Sequence, residues 1–138
     1  MSAFFMSAAD VTERKSPPPL SGRSAKILID PTSEPSHRGA LLSLVMFKYR
    51  PGQEGPLHSH EDSAEIYFTI RGAGLLKIGD KTYDAKPMSV LYIPAKTIHQ
   101  PCNLGCEDWV FIAIFVPPID LSEIRKWESI KSFNTLCR

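Results

Sequence analysis

Gly52-Gln-Glu-Gly-Pro-Leu-His58-Ser-His60-Glu-Asp-Ser-Ala-Glu65-Ile-Tyr-Phe-Thr-Ile-Arg-Gly72 decides how this chain is read. His58 and His60 stand two apart, so on an extended strand both imidazoles project from the same face. A short loop follows, and Glu65 opens a run in which Glu65, Tyr67 and Thr69 alternate with Ile66, Phe68 and Ile70. That period of two predicts a strand with two distinct faces. Placed antiparallel to the histidine segment, this strand can aim the Glu65 carboxylate at the point the imidazoles address. A third imidazole, His99, follows Pro94 after a short loop and can close the set. Three imidazoles and a carboxylate suit one divalent first-row transition metal ion, whether Fe, Mn, Ni, Cu or Zn. Four protein ligands in an octahedral shell leave two positions open, as a catalytic ion requires.

The same punctuation continues outward on both sides. Ala25–Ile29 is a β-like run ended by Asp30-Pro31, and Ala40–Tyr49 is a longer one ended by Pro51-Gly52. Leu75–Ile78 and Lys81–Tyr83 flank Gly79-Asp80, a two-residue hairpin signal of the II′ kind. Ser89–Ile93 runs to Pro94, and Trp109–Val116 is the most apolar run. Short strands separated by Gly and Pro predict an all-β sandwich or barrel. Residues 1–24, with Ser16-Pro-Pro-Pro19, read as a flexible tail, residues 25–118 as the barrel and residues 119–138 as a short C-terminal helix and tail. Asp120 can cap that helix, with Glu123 completing a capping box. Leu121, Ile124, Trp127 and Ile130 then form a stripe that packs on the outside of the barrel or serves a dimer contact.

Gly52, His58, His60, Glu65 and Gly72 match the first sequence motif of the cupin superfamily at every signature position. Pro94, His99 and Asn103 match the second motif, in which Met88 and Lys96 replace the two expected glycines. The chain thus resembles a small single-domain cupin over about residues 40–117. The resemblance implies a jelly-roll barrel, the double-stranded β-helix, of six to eight strands with the metal inside one end. A Lys in a left-handed conformation would cost about 1 kcal/mol, so the second loop is expected to use that geometry at a cost or adopt another turn.

Bulk properties limit the alternatives. A chain of 138 residues has room for one domain and one core. Hydrophobic residues make up 43% and charged residues 22%, and the net charge is +1 with both signs interspersed. This argues against a nucleic acid or a membrane surface as partner. The run from Trp109 to Pro118 is too short to cross a bilayer. No basic stretch precedes the mildly apolar N-terminus, and the three cysteines form no closed disulfide framework, so a cytoplasmic setting is expected. Cys102 and Cys106 read as ordinary thiols, and His37 as an exposed loop residue.

Tyr67 shares the Glu65 face and is the candidate catalytic residue, with packing as its competing role. Three functions suit the set, each with a small-molecule substrate. The preferred one is a non-haem dioxygenase, because open positions on an iron-like centre suit substrate and oxygen side by side; quercetin- and thiol-type dioxygenases are similar cupins. The alternative is a non-redox lyase, decarboxylase or isomerase in which Tyr67 moves a proton, and small cupins that cleave dimethylsulfoniopropionate resemble it in this. The third is a non-catalytic module that holds a small ligand. Few basic residues have inward parity; Lys48 and Lys77 are the candidates. A homodimer is expected through an edge sheet, with Ala25–Ile29 as an exchanged strand.

Overall fold

Each alternating run becomes a strand, and burial follows the alternation. The computed structural model describes residues 1–20 and 22–130. Its strands are β1 (Arg14–Lys15), β2 (Arg23–Ile29), β3 (Ser43–Tyr49), β4 (Ala64–Arg71), β5 (Gly74–Ile78), β6 (Lys81–Ala85), β7 (Val90–Ile93), β8 (His99–Cys102), β9 (Trp109–Val116) and β10 (Glu128–Ser129). One short helix, α1, covers Ser122–Arg125. Seven strands form a sheet in the order β10-β1-β2-β3-β9-β4-β7, and three form a second sheet in the order β6-β5-β8. All pairings are antiparallel, as a cupin β-barrel requires.

The core lies between the two sheets. Val45 and Tyr49 from β3, Tyr67 from β4, Leu76 from β5, Ile93 from β7 and Trp109, Phe111, Ala113 and Phe115 from β9 are all buried there. Sequence parity left the inward face of β9 open; Phe111, Ala113 and Phe115 take it, while Ile112 and Ile114 face outward and stay partly exposed. Trp109, Phe111 and Tyr67 stack in series, with ring centroids 4.2 and 4.7 Å apart. Each such pair adds about 1 kcal/mol beyond its buried area.

Turn chemistry fixes the register. Gly79 has φ +59 and Asp80 is not left-handed, so the two-residue hairpin is of the expected II′ kind. Gly72, at φ +69, is required twice over: a Cβ there would run into the Asp108 carbonyl. Met88 and Lys96 stand where the family has glycine, and both keep the glycine conformation, at φ 68 and 64. The loops therefore retain the family path and carry the strain.

Both chain ends depart from expectation. Arg14–Lys15, placed in a tail by its prolines, pairs with Ala25 and Ser24 on one side and with Ser129 and Glu128 on the other. Within the chain, Ala25–Ile29 pairs with β3, and β1 covers its start. The helix is four residues, shorter than the apolar stripe suggested. Asp120 Oδ1 accepts from the Ser122 amide at 2.9 Å, but Glu123 pairs with Lys126 and completes no capping box. Ile130 lies beyond the helix, after β10. Residues 131–138, part of the expected helix and tail, lie outside the described residues. His37 is half-buried on a short 3-10 turn, stacked on Phe4 and accepting from the Asp30 amide at 3.0 Å. No helix among the described residues is long and apolar enough to cross a membrane.

Candidate metal centre

The four predicted ligands converge from different parts of the fold. Glu65 is the second residue of β4 in the large sheet and His99 opens β8 in the small one. His58 pairs with His99 through reciprocal backbone hydrogen bonds of 3.0 and 2.9 Å, which fixes the histidine segment against β8. His60 is held from its other side: its carbonyl accepts from the Lys96 amide at 2.7 Å. The left-handed turn at Lys96 thus positions one ligand and leads into another. One ligand atom from each of His58, His60, Glu65 and His99 lies within 4.8 Å of the other three.

Proton accounting shows what the cluster suits. The Nδ1–H of His58 can donate to the Pro56 carbonyl and that of His99 to the Thr97 carbonyl, each at 2.8 Å. In the neutral ring this tautomer leaves Nε2 as a lone pair. His99 Nε2 then faces Glu65 Oε1 at 2.9 Å, two acceptors in contact unless a proton or a cation lies between them. His60 Nε2 is 3.3 Å from the same oxygen and is a buried nitrogen with no hydrogen-bond partner. Such a group is costly to bury unless something binds it. The backbone carbonyls that orient two of the rings are the outer-shell partners that metal-binding histidines require. The cluster can therefore hold a metal ion, and its donors fit one.

Electrostatics agree with that use. Burial lowers the pKa of His58, against the opposing pull of the Pro56 carbonyl, so the ring is a neutral donor at pH 7. Burial alone would raise the Glu65 carboxyl, but the close approach and charge of His60 and His99 outweigh it and hold the group below its ordinary value. For His99, burial pulls downward, but its contacts to the Glu65 carboxylate and to the Thr97 carbonyl bring the net shift upward.

A cavity of about 260 Å³ opens beside the donors. His58, His60, Glu65 and Tyr67 form one end of it, and Arg23, Phe47, Ile124 and Trp127 are among the residues lining the rest. Tyr67 is buried, and its hydroxyl has no hydrogen-bond partner among the described residues. Burial pushes this phenol well above its ordinary pKa and the Glu65 charge adds to the shift; burial likewise raises Tyr49 to about 12. The stripe of Leu121, Ile124 and Trp127 lines this cavity instead of packing on the outside of the barrel. Lys48 faces away and pairs with Glu13 at 2.9 Å, and Lys77 does not line the cavity.

Two further residues carry the architecture. Asn103 is fully buried and donates to the Tyr49 and Glu107 carbonyls, tying β3 to the loop before β9. Cys102 is buried and Cys106 exposed, and the metal-capable cluster includes neither. Arg23, which lines the cavity, escaped the sequence reading. Its alternation with the buried Ala25 was the signal, hidden because Ser21-Gly-Arg-Ser24 has the composition of a loop.

Comparison with known proteins places this geometry. The family model of the cupin domain matches residues 45–115. An uncharacterised protein of Methanocaldococcus jannaschii is 30% identical over 82 residues, which span 59% of this chain and 66% of that one. A glucose-6-phosphate isomerase of Thermococcus onnurineus is 32% identical over 81 residues, 51% of this chain and 43% of the isomerase. The chain thus spans under half the length of that relative. Among solved structures, a protein from Thermotoga maritima described as a predicted oxalate decarboxylase superposes with a TM-score of 0.69 at 20% identity. That superposition covers 83% of this chain and 99% of the other, and it speaks to the fold alone. With the motif ligands assembled between two sheets and the family model matching from β3 to β9, the chain belongs to the cupin family.

Proposed function

We propose that this protein is a metal-dependent enzyme that performs proton-transfer chemistry on a small organic molecule, as an isomerase, lyase or decarboxylase. The observation that carries the proposal is Tyr67, its hydroxyl unpartnered among the described residues, in the cavity that His58, His60 and Glu65 also line. His58, His60, Glu65 and His99 would hold one divalent transition metal ion, which supplies Lewis acidity toward a substrate carbonyl or carboxylate. Tyr67 is a neutral phenol at physiological pH, so it donates a hydrogen bond or a proton to a substrate oxygen or carbon beside the donors. Its stack on Phe111, at an interplanar angle of 13°, holds the ring in place while the proton moves. The named activity of the isomerase relative agrees with non-redox chemistry.

Dioxygenase chemistry is the second proposal, and the apolar walls favour it. Phe115, whose ring lies 5.1 Å from that of His60, and Phe47 limit water at the donors. One experiment separates the two. Iron- and manganese-loaded protein is assayed with and without oxygen against sugar phosphates, 2-oxo acids and phenols. Turnover that persists without oxygen and falls about 10²–10⁴-fold in Tyr67→Phe, at unchanged metal content, supports proton transfer. Strict oxygen dependence moves the assignment to a dioxygenase, and full activity in Tyr67→Phe removes the role of the phenol. Saturable ligand binding without any turnover would leave a binding module.

A further inference from the structure

The cavity has a second pole that the metal donors do not explain. Arg23 begins β2 and alternates with Ala25, which is buried in the core, so backbone parity sends its side chain inward. Its guanidinium carbon lies 5.0 Å over the Trp127 ring and 6.0 Å over the Tyr49 ring, and all three residues line the cavity. Its Nε donates to the Leu20 carbonyl at 3.2 Å. Its guanidinium also reaches the Tyr49 hydroxyl, whose pKa it pulls down against burial, and no carboxylate pairs with it among the described residues. The neighbouring cations are committed: Lys26 to the Ala8 carbonyl, Lys48 to Glu13 and Arg125 to Asp30.

The acidic side chains on the same rim do not neutralise it. Asp120 accepts from the Ser122 amide, and Glu123 pairs with Lys126. A half-buried guanidinium over two aromatic rings, with more donors than the Leu20 carbonyl and the Tyr49 hydroxyl can use and no carboxylate partner, is poorly solvated without an anion. Its planar fork matches the two oxygens of a carboxylate or a phosphate. Between this fork and the metal donors the walls are apolar, with Phe47, Phe115 and Ile119 among them. At about 260 Å³ the space is smaller than a pocket for a drug-sized molecule.

We infer that Arg23 anchors an anionic oxygen group of the substrate, a carboxylate or a phosphate monoester, whose apolar body reaches toward the metal donors. This rests on the reading of the cavity as the substrate site. It makes Arg23 a specificity-determining residue and the substrate a small anion.

Calorimetry on the full chain, metal-loaded and metal-free, tests this with phenylacetate, phenyl phosphate and the neutral phenylacetamide. At least one anion is expected to bind about tenfold or more tightly than the amide, in both metal states. Arg23→Gln abolishes that preference at unchanged metal content, and Arg23→Lys keeps part of it. Whichever anion binds more tightly identifies the source of the charge. Should Arg23→Gln fail to fold, the Arg23 Nε–H resonance of the unaltered protein reports instead: it shifts with the anion and not with the amide. A preference that survives Arg23→Gln, a resonance indifferent to the anion, or equal or absent binding of all three probes overturns the inference. An anion preference that appears only with metal and survives Arg23→Gln places the anion on the ion, so the Arg23 role fails while the metal reading stands. A chain that takes up no metal yet keeps the Arg23-dependent preference shows the converse.

Discussion

His60 is the residue on which the metal assignment turns, because its Nε2 is buried without a hydrogen bond while the other two rings have backbone carbonyls to orient them. Replacing His60 with Ala removes a donor whose side chain is partly buried but lies outside the hydrophobic core. The expected outcome is a loss of ion affinity beyond the roughly 10–100-fold that follows loss of a mere supporting partner, with the far-UV spectrum unchanged. Elemental analysis after dialysis against a weak chelator measures it; full occupancy in this variant would remove His60 from the ligand set. The four donors were legible because strand parity and family spacing both constrain them. Arg23 was not legible, since parity is meaningful only once the strand is known to begin there. The inward face of β9 was equally closed to the sequence: both faces are apolar, and only the partner across the core distinguishes Phe111 from Ile112.

At the scale of elements, the loops before β7 and β8 keep a glycine path without glycine. Met88 is well exposed at φ 68 and Lys96 adopts φ 64, so neither packs in a way that repays its conformation. Met88→Gly is expected to stabilise the protein by up to about 1 kcal/mol, the steric relief exceeding the added freedom of the unfolded chain. Urea unfolding midpoints measure this, and destabilisation would show that the side chain contributes more than the strain costs. Lys96→Gly should follow the same sign without loss of metal affinity, because the Lys96 amide that holds His60 is retained. The hairpin at Gly79-Asp80 was legible from two residues, as II′ turns demand a left-handed first position. Two-residue strands such as β1 and β10 carry no periodicity, so no pattern in the chain announces them.

At the scale of the molecule, the two chain ends are tied together through one buried acid. Asp30 closes β2 and accepts from Thr32 and from two nitrogens of Arg125 on α1, both of these at 2.8 Å. Burial alone would raise this carboxyl, but the Thr32 and Arg125 hydrogen bonds outweigh it and hold it below its ordinary value. An acid lowered in the folded state stabilises the fold fully above its unfolded value, near pH 4, and the contribution disappears as pH falls through the lower folded value. Stability of the native chain should therefore drop below about pH 4 more steeply than that of Asp30→Asn. At pH 7 the variant should be weaker by about 2 kcal/mol, less than a fully buried pair would give because Arg125 is partly solvated. Parallel pH slopes for the two proteins would exclude the tie. Chemical denaturation across pH 3–7 decides it. The two tryptophans have a use that is optical. Trp109 is sealed in the core with its Nε1–H on Thr69, whereas Trp127 is half-buried at the mouth of the cavity beneath Arg23. One chromophore thus reports the interior and the other the entrance, so the chain carries its own pair of fluorescent reporters, with blue-shifted emission from Trp109 and quencher-sensitive emission from Trp127.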